Sequence, residues 1–243
     1  MIFDVVIEIP AGSKNKYEID HATGEIRLDR MLMTSTRFPH DYGYVKNTLS
    51  NDGLFAFVQA GSLTVNTPIT GSGGLLQSGI GTTTLSGTSS YTGPTSITNG
   101  TLRADDSSPF GSNSAITLAA ATTIDLAGNS VTLGSLSGAG LITNSSTAAA
   151  VLSIGSDNSS TQFSGVIEDG SSAIALTHLG SGTLTLIKAN TYTGPTTIKA
   201  GALQIGDGNS GSIAKDSTIN VVSSGTLLLN NADGASIVNR MTN

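Results

Sequence analysis

The chain contains no cysteine, which excludes disulfides and thiolate metal sites. Charge is scarce as well. Asp, Glu, Lys and Arg make up 12% of the residues, about half of the roughly 25% usual in soluble domains. The net charge of −6 is spread along the chain, and no basic stripe offers a footprint for nucleic acid. No apolar run approaches the roughly 18 residues that span a bilayer; the run LFAFVQA at 54–60 is far too short. The opening MIFDVVIEIPAG carries Asp4 and Glu8 and no basic segment. It does not read as a secretory leader, and such an N-terminus predicts a cytoplasmic chain.

The scarcity of charge is uneven. Residues 1–53 hold 14 charged side chains, and residues 54–243 hold another 14 in 190 positions. Of the 30 glycines, 26 lie after Gly53. One evenly selected domain does not divide this way. The composition predicts a first segment at 1–53, a junction at 54–60 and a second domain at 61–243. A seam this abrupt is what joining two unrelated coding segments produces, whether by natural fusion, by engineering or by misassembly.

In the first segment, Phe3, Val5, Ile7 and Ile9 alternate with Asp4, Val6 and Glu8. A period of two predicts a strand with one buried face. NKYEID (15–20) and EIRLD (25–29) are further strand candidates, with HATG (21–24) as the hairpin turn. FPHDYGY (38–44) reads as loop. His21 and His40 share no short metal-ligand spacing and read as solvated turn residues.

FDVVIEIPAGSKNKYEIDHATGEIRLDR followed by FPHDYGYVKNTLSNDG resembles, nearly without gaps, the N-terminal third of a family I inorganic pyrophosphatase of the bacterial type. The resemblance implies part of a five-stranded barrel of OB type and Mg²⁺-dependent hydrolysis of diphosphate to two phosphates. That reaction needs metals to polarise phosphoryl oxygens and activate water, and cations to hold phosphate. By the same resemblance, Lys16, Arg30 and Tyr42 would bind phosphate, Glu8 and Asp52 would be metal-associated, and Glu18 would line the cleft. The sequence then departs from the family. After Asp52-Gly53 come Leu54, Phe55, Ala56 and Phe57, and the next carboxylate is Asp105. Mg²⁺ takes several oxygens in near-octahedral geometry, and two carboxylates do not supply them. The expectation is an incomplete barrel of three or so strands, inactive as an enzyme. If it is active, it is a diphosphatase using Glu8, Lys16, Arg30, Tyr42 and Asp52 with Mg²⁺. Phe55 and Phe57 are candidates to cover the N-terminal end of the second segment.

That second segment contains a repeat. SGIGTTTLSGTSSYTGPTSITNGTLRA (78–104) aligns with LGSGTLTLIKANTYTGPTTIKAGALQI (179–205) at an offset of 101 residues. Between and within the copies run short β-rich pieces such as TTTLSG, TSITNG, AITLAA, TTIDLAG and SVTLGSLSG, broken by Gly, Asn or Asp. None is long enough to fold alone. Stacked at about 4.8 Å per coil, their inward Leu, Ile and Val would form one core. Thr and Ser suit the outer faces, and Gly and Asn the turns. Coils of about 18–22 residues predict eight or nine turns and a rod of roughly 40 Å.

GSGTLTLIKANTYTGPTTIKAGALQIG (180–206) resembles the autotransporter-associated β-strand repeat of bacterial surface proteins. The resemblance implies a right-handed parallel β-helix with a structural or adhesive role at the cell surface, no cofactor, and a glycan or protein as partner. Tyr91 and Tyr192, at equivalent repeat positions, are candidates either for a carbohydrate-stacking surface or for packing at a coil corner. The pairs Asp105-Asp106 and Glu168-Asp169 read as turns, since neighbours on a strand face opposite ways. GDGNSG (206–211) is followed by strand-like residues rather than a helix, so it lacks the dinucleotide context and reads as a turn. His178 has no local partner in the sequence and is expected to be exposed.

Overall fold

The computed structural model describes the backbone of residues 5–9, 15–19, 26–31, 42–45, 53–111, 113–231 and 241–242, and the side chains of 53–111, 113–222 and 224–231. The chain divides into two compact units, residues 1–51 and 52–243.

The first unit holds four strands in two antiparallel pairs. β1 (Val5–Ile9) pairs with β4 (Tyr42–Val45), and β2 (Asn15–Ile19) pairs with β3 (Ile26–Met31). The first three fall where alternation places them. The fourth corrects the loop expected at 38–44: Tyr42 and Gly43 lie in β4. Its register breaks between Ile7 and Ile9, the kind of bulge that lets a short, irregular sequence join a ladder.

The second unit is a parallel β-solenoid of about eight turns, with no helix among the described residues. The coils up to residue 104 carry strands on two faces, and those after it on three. On the first face β5 (Phe55–Phe57), β7 (Leu75–Gln77), β9 (Thr95–Ile97), β11 (Ala115–Leu118), β14 (Ser135–Gly138), β17 (Thr161–Phe163) and β20 (Thr183–Leu186) stack in order. The second face stacks β6 (Leu63–Val65), β8 (Thr82–Leu85), β10 (Thr101–Ala104), β12 (Thr123–Asp125), β15 (Leu141–Thr143) and β18 (Val166–Ile167). The third stacks β13 (Val131–Leu133), β16 (Ala150–Ile154) and β19 (Ile174–His178). Two long strands, β21 (Thr196–Ile205) and β22 (Ile219–Leu229), bend from the third face onto the first, and β23 (Met241–Thr242) pairs with β22. Nine ladder positions on the first face span about 38 Å at 4.8 Å each.

Short strands such as β7 and β9 are buried–intermediate–buried. Inward residues therefore line up from coil to coil: Leu102, Ile124, Ile142 and Ile167 form one column of buried aliphatics. SVTLGSLSG, one run in the sequence, is cut into β13 and β14 at Gly134. A Cβ there would meet the Asn113 carbonyl oxygen at 2.1 Å, so only glycine lets the chain turn this close to the coil before it.

The repeat copies do not share a face. β8, which carries TTTL, lies on the second face, and its counterpart β20, with TLTL, lies on the first. Likewise β9 is on the first face and the start of β21 on the third. Following the second face from β8 to β18 takes four coils, and two further faces lead through β19 to β20. One repeat of 101 residues thus equals four and two-thirds turns.

What the copies conserve is interior. Tyr91 and Tyr192 are 1% and 0% exposed, so the expected stacking surface does not exist and the packing alternative holds. Tyr192 Oη lies 2.8 Å from Thr196 Oγ1, which lies 3.0 Å from Ser217 Oγ, which donates to the Gly194 carbonyl at 2.7 Å. A hydroxyl has one proton. Since a carbonyl only accepts, donation runs from Tyr192 to Thr196 to Ser217 to Gly194. The same chain links Tyr91, Thr95, Ser114 and Gly93. Burial raises both phenol pKa values, so the phenols keep their protons and can donate them.

The direction of this relay sets an unequal cost. Tyr192→Phe removes one donor and leaves Thr196 bonded to Ser217, costing about 0.5–1.5 kcal/mol. Thr196→Val strands a buried phenol and should cost about 1–3 kcal/mol. Urea unfolding of the two variants checks the order; equal losses would refute the direction.

Candidate functional site

The residues expected to handle phosphate and metal lie in the first unit, where the backbone alone is described. Glu8 is on β1, Lys16 and Glu18 on β2, Arg30 on β3 and Tyr42 on β4. The register puts Lys16 directly opposite Arg30, Glu18 opposite Arg27, and Tyr42 opposite Ile9, the neighbour of Glu8. Asp52, His21 and His40 lie outside the described residues.

Beyond residue 53 the carboxylates are held by their own turns. Asp105 accepts from Ser86 Oγ, and Asp106 from Thr88 Oγ1 and the Ser108 amide. Asp169 accepts from the Ile174 and Thr193 amides and from Thr193 Oγ1 at 2.6 Å. In GDGNSG, Asp207 accepts from the Asn209 and Ser210 amides, while Gly206, Gly208 and Gly211 supply positive φ angles. These are Asx turns and coil-to-coil staples. Among the described residues no three His, Asp or Glu side chains gather to hold a metal ion. The described donor set does not fit the cluster a Mg²⁺-dependent phosphohydrolase requires.

Among the described Asp, Glu, Lys and Arg residues, Asp125 is the buried one. Asp125 on β12 pairs with Arg103 on β10 at 2.9 Å and accepts from Ser145 Oγ at 2.6 Å and from the Ser145 and Ala127 amides. Arg103 also reaches Ser145 Oγ at 2.9 Å. Burial pushes the Asp125 carboxyl up. The Ser145 and Ala127 hydrogen bonds and the Arg103 charge outweigh it and hold the pKa below the ordinary value. The cluster ties three adjacent coils on the second face.

A depressed folded pKa stabilises above the unfolded value, near 3.9, and that contribution fades as pH falls through the lower folded value. Asp125→Asn should cost about 1–3 kcal/mol at neutral pH. It should also flatten the loss of thermal stability below about pH 4. An unchanged acid profile in the variant would contradict this assignment.

His178 is 1% exposed, against the exposure expected for it. It ends β19 between Ile154 and Ile198 in an otherwise aliphatic column. Its Nε2 lies 3.0 Å from the Gly182 carbonyl. A carbonyl cannot donate, so Nε2 carries the proton and Nδ1 is an acceptor. Nδ1 is buried with no hydrogen-bond partner. The residue 101 positions earlier is Gln77, fully buried, whose Nε2 donates to Gly79 and Gly81 carbonyls and whose Oε1 accepts from Thr83 Oγ1 at 2.6 Å. At the position equivalent to Thr83 the second copy has Leu184. The donor has been lost, and the ring nitrogen it would serve is left over. Neither position has an acid or nucleophile beside it that would make it catalytic. The sequence did contain the signal: the aligned block begins at 78 and 179, one residue after this pair.

A double-mutant cycle tests the equivalence. His178→Gln and Leu184→Thr should each destabilise, and together should recover about 1 kcal/mol relative to their sum. Additive losses would show that the second copy cannot adopt the arrangement of the first.

Comparison with known proteins assigns the two segments. Residues 5–54 match the inorganic pyrophosphatase family model, and residues 75–104 and 176–205 match the passenger-associated-transport-repeat model. The first segment is 70% identical over 53 residues to the inorganic pyrophosphatase of Streptomyces coelicolor, covering 22% of this chain and 32% of that protein. The enzyme of Leifsonia xyli subsp. xyli is 61% identical over 51 residues, 21% of this chain and 31% of its own length. The soluble inorganic pyrophosphatase of Oryza sativa subsp. indica is 54% identical over 52 residues, 21% and 24% respectively. The chain spans about a third or less of the curated relatives it matches. No solved structure matches it. The chain therefore joins an N-terminal pyrophosphatase segment to passenger-type β-solenoid repeats, and such repeats are those of surface-type proteins. Among the described residues no helix is long and apolar enough to cross a membrane.

Proposed function

We propose that the chain acts as a non-enzymatic, surface-type structural or adhesive β-solenoid carrying a truncated and inactive pyrophosphatase N-terminus. The observation that supports this most is how the solenoid uses its charges: most of its described carboxylates serve turns, neighbouring coils or the ion pairs Arg103–Asp125 and Lys215–Asp216, and among the described residues none gather as a cluster that could complete a Mg²⁺ site for Glu8 and Asp52. In this reading Glu8, Lys16, Glu18, Arg30, Tyr42 and Asp52 are remnants, the domains divide at 1–53, 54–60 and 61–243, and the partner is an extracellular glycan or protein.

One observation favours a second reading. Lys16 and Arg30 hold one position of the β2–β3 ladder. A diphosphate-binding role for Lys16, Arg30 and Tyr42, with Mg²⁺ at Glu8 and Asp52, would use two cationic residues at that shared position.

Phosphate release from diphosphate with Mg²⁺ separates the readings. The expected outcome is no release by the purified chain above a heat-denatured control, with Lys16→Ala and Arg30→Ala indistinguishable from the parent. Turnover by the parent that either substitution abolishes would establish the diphosphatase instead.

A further inference from the structure

The corner between the first and second faces changes length along the rod. It holds five residues between β5 and β6, four between β7 and β8, three between β9 and β10 and four between β11 and β12. It then shrinks to two in successive coils: Ala139-Gly140, Ser164-Gly165 and, before the Ala189–Ser212 bridge, Ile187-Lys188. Both glycines are forced. A Cβ on Gly140 would meet Thr122 O at 2.8 Å, and one on Gly165 would meet Gly140 O at 1.9 Å. Farther on, the six-residue turn 206–211 stands out again. Short corners between longer ones leave a notch of about 440 Å³, within the range of small-ligand sites.

The lining is mixed in a specific way. The outward side chains of Leu141 and Val166, neighbours in the β15–β18 ladder, give it an apolar floor. Thr123 and Ser164 add hydroxyls, and Glu168 and Lys188 stand at its edge. A carboxylate only accepts and an ammonium only donates. Lining the same notch, they suit hydroxyls, one group donating and the other accepting. Their opposite charges leave the lining with no net preference for a cation or an anion. An extended peptide cannot be added here as a strand, because β15 is already paired on both sides, with β12 and β18.

We propose that this notch binds a short stretch of a neutral glycan, one pyranose C–H face lying on Leu141 and Val166 and its hydroxyls bridging Glu168 and Lys188. This deepens the adhesive reading of the solenoid by naming a site and a ligand class, but the site holds whether or not the chain reaches a cell surface and whether or not it hydrolyses diphosphate.

The test is titration of the full chain with maltotriose, cellotriose and N-acetylchitotriose, followed by ligand-observed NMR, with trigalacturonate as the acidic comparator and tryptic casein peptides as the peptide comparator. At least one neutral trisaccharide should bind saturably with Kd below about 10 mM. Ala139→Arg, which fills the notch from an exposed position, should abolish binding. Glu168→Gln and Lys188→Met should each weaken it at least about tenfold. Thr117→Arg, on the exposed first face, should leave it unchanged, and circular dichroism should show all four variants folded. The proposal fails if no neutral trisaccharide binds, if binding survives Ala139→Arg, or if trigalacturonate or the casein peptides occupy the notch more tightly than the neutral sugars.

Discussion

The solenoid rests on one requirement: each strand must find its main-chain partners in the coils before and after it. Buried amides and carbonyls left unpaired are costly, and strands of three to five residues bury too little to offset that alone. Every coil therefore has to arrive at the same faces whatever the length of its corners. The coils differ by several residues, and the differences are absorbed at the turns. Glycine allows the backbone of one coil to touch the next, as at Gly134 and Gly165. Asp169, Asn144 and Asn190 tie turns to the neighbouring coil through side-chain hydrogen bonds. The acidic residues of this segment act largely as structural acceptors.

Architecture was largely legible in the amino-acid order, because alternation and turn residues act locally. TTTL, TSI, AITL and TID are strands as expected, and the stacking of inward aliphatics follows from their spacing. Three features were not legible, for different physical reasons. The split of SVTLGSLSG at Gly134 depends on a carbonyl 21 residues away. Tyr42-Gly43 looked like loop because of Pro39 and of Gly43 itself, yet long-range pairing with β1 overrides that preference. His178 looked exposed because a polar residue in a strand usually faces water, and only the coil above and below shows that it points inward.

The site was less legible than the fold. The residues that resemble pyrophosphatase positions were recognisable from their order, and Lys16 and Arg30 do share a ladder position. The Arg103–Asp125–Ser145 cluster could not be read, since it joins residues up to 42 positions apart whose proximity depends on the number of residues in each coil. The notch at Ala139 and Ser164 is of the same kind. No motif marks it, and it exists because a few neighbouring corners are shorter than those around them. In a stacked fold, insertions and deletions at corners carve the surface while leaving the core alone.

The one-third turn by which each repeat falls short of five coils has a geometric outcome for longer arrays. Identical exteriors would wind around the axis like a stripe on a pole and return to the same bearing only after three copies, about 14 coils. A flat partner lying along such a rod would meet matching side chains at intervals of some 65–70 Å, while a partner wrapping the shaft could follow every copy.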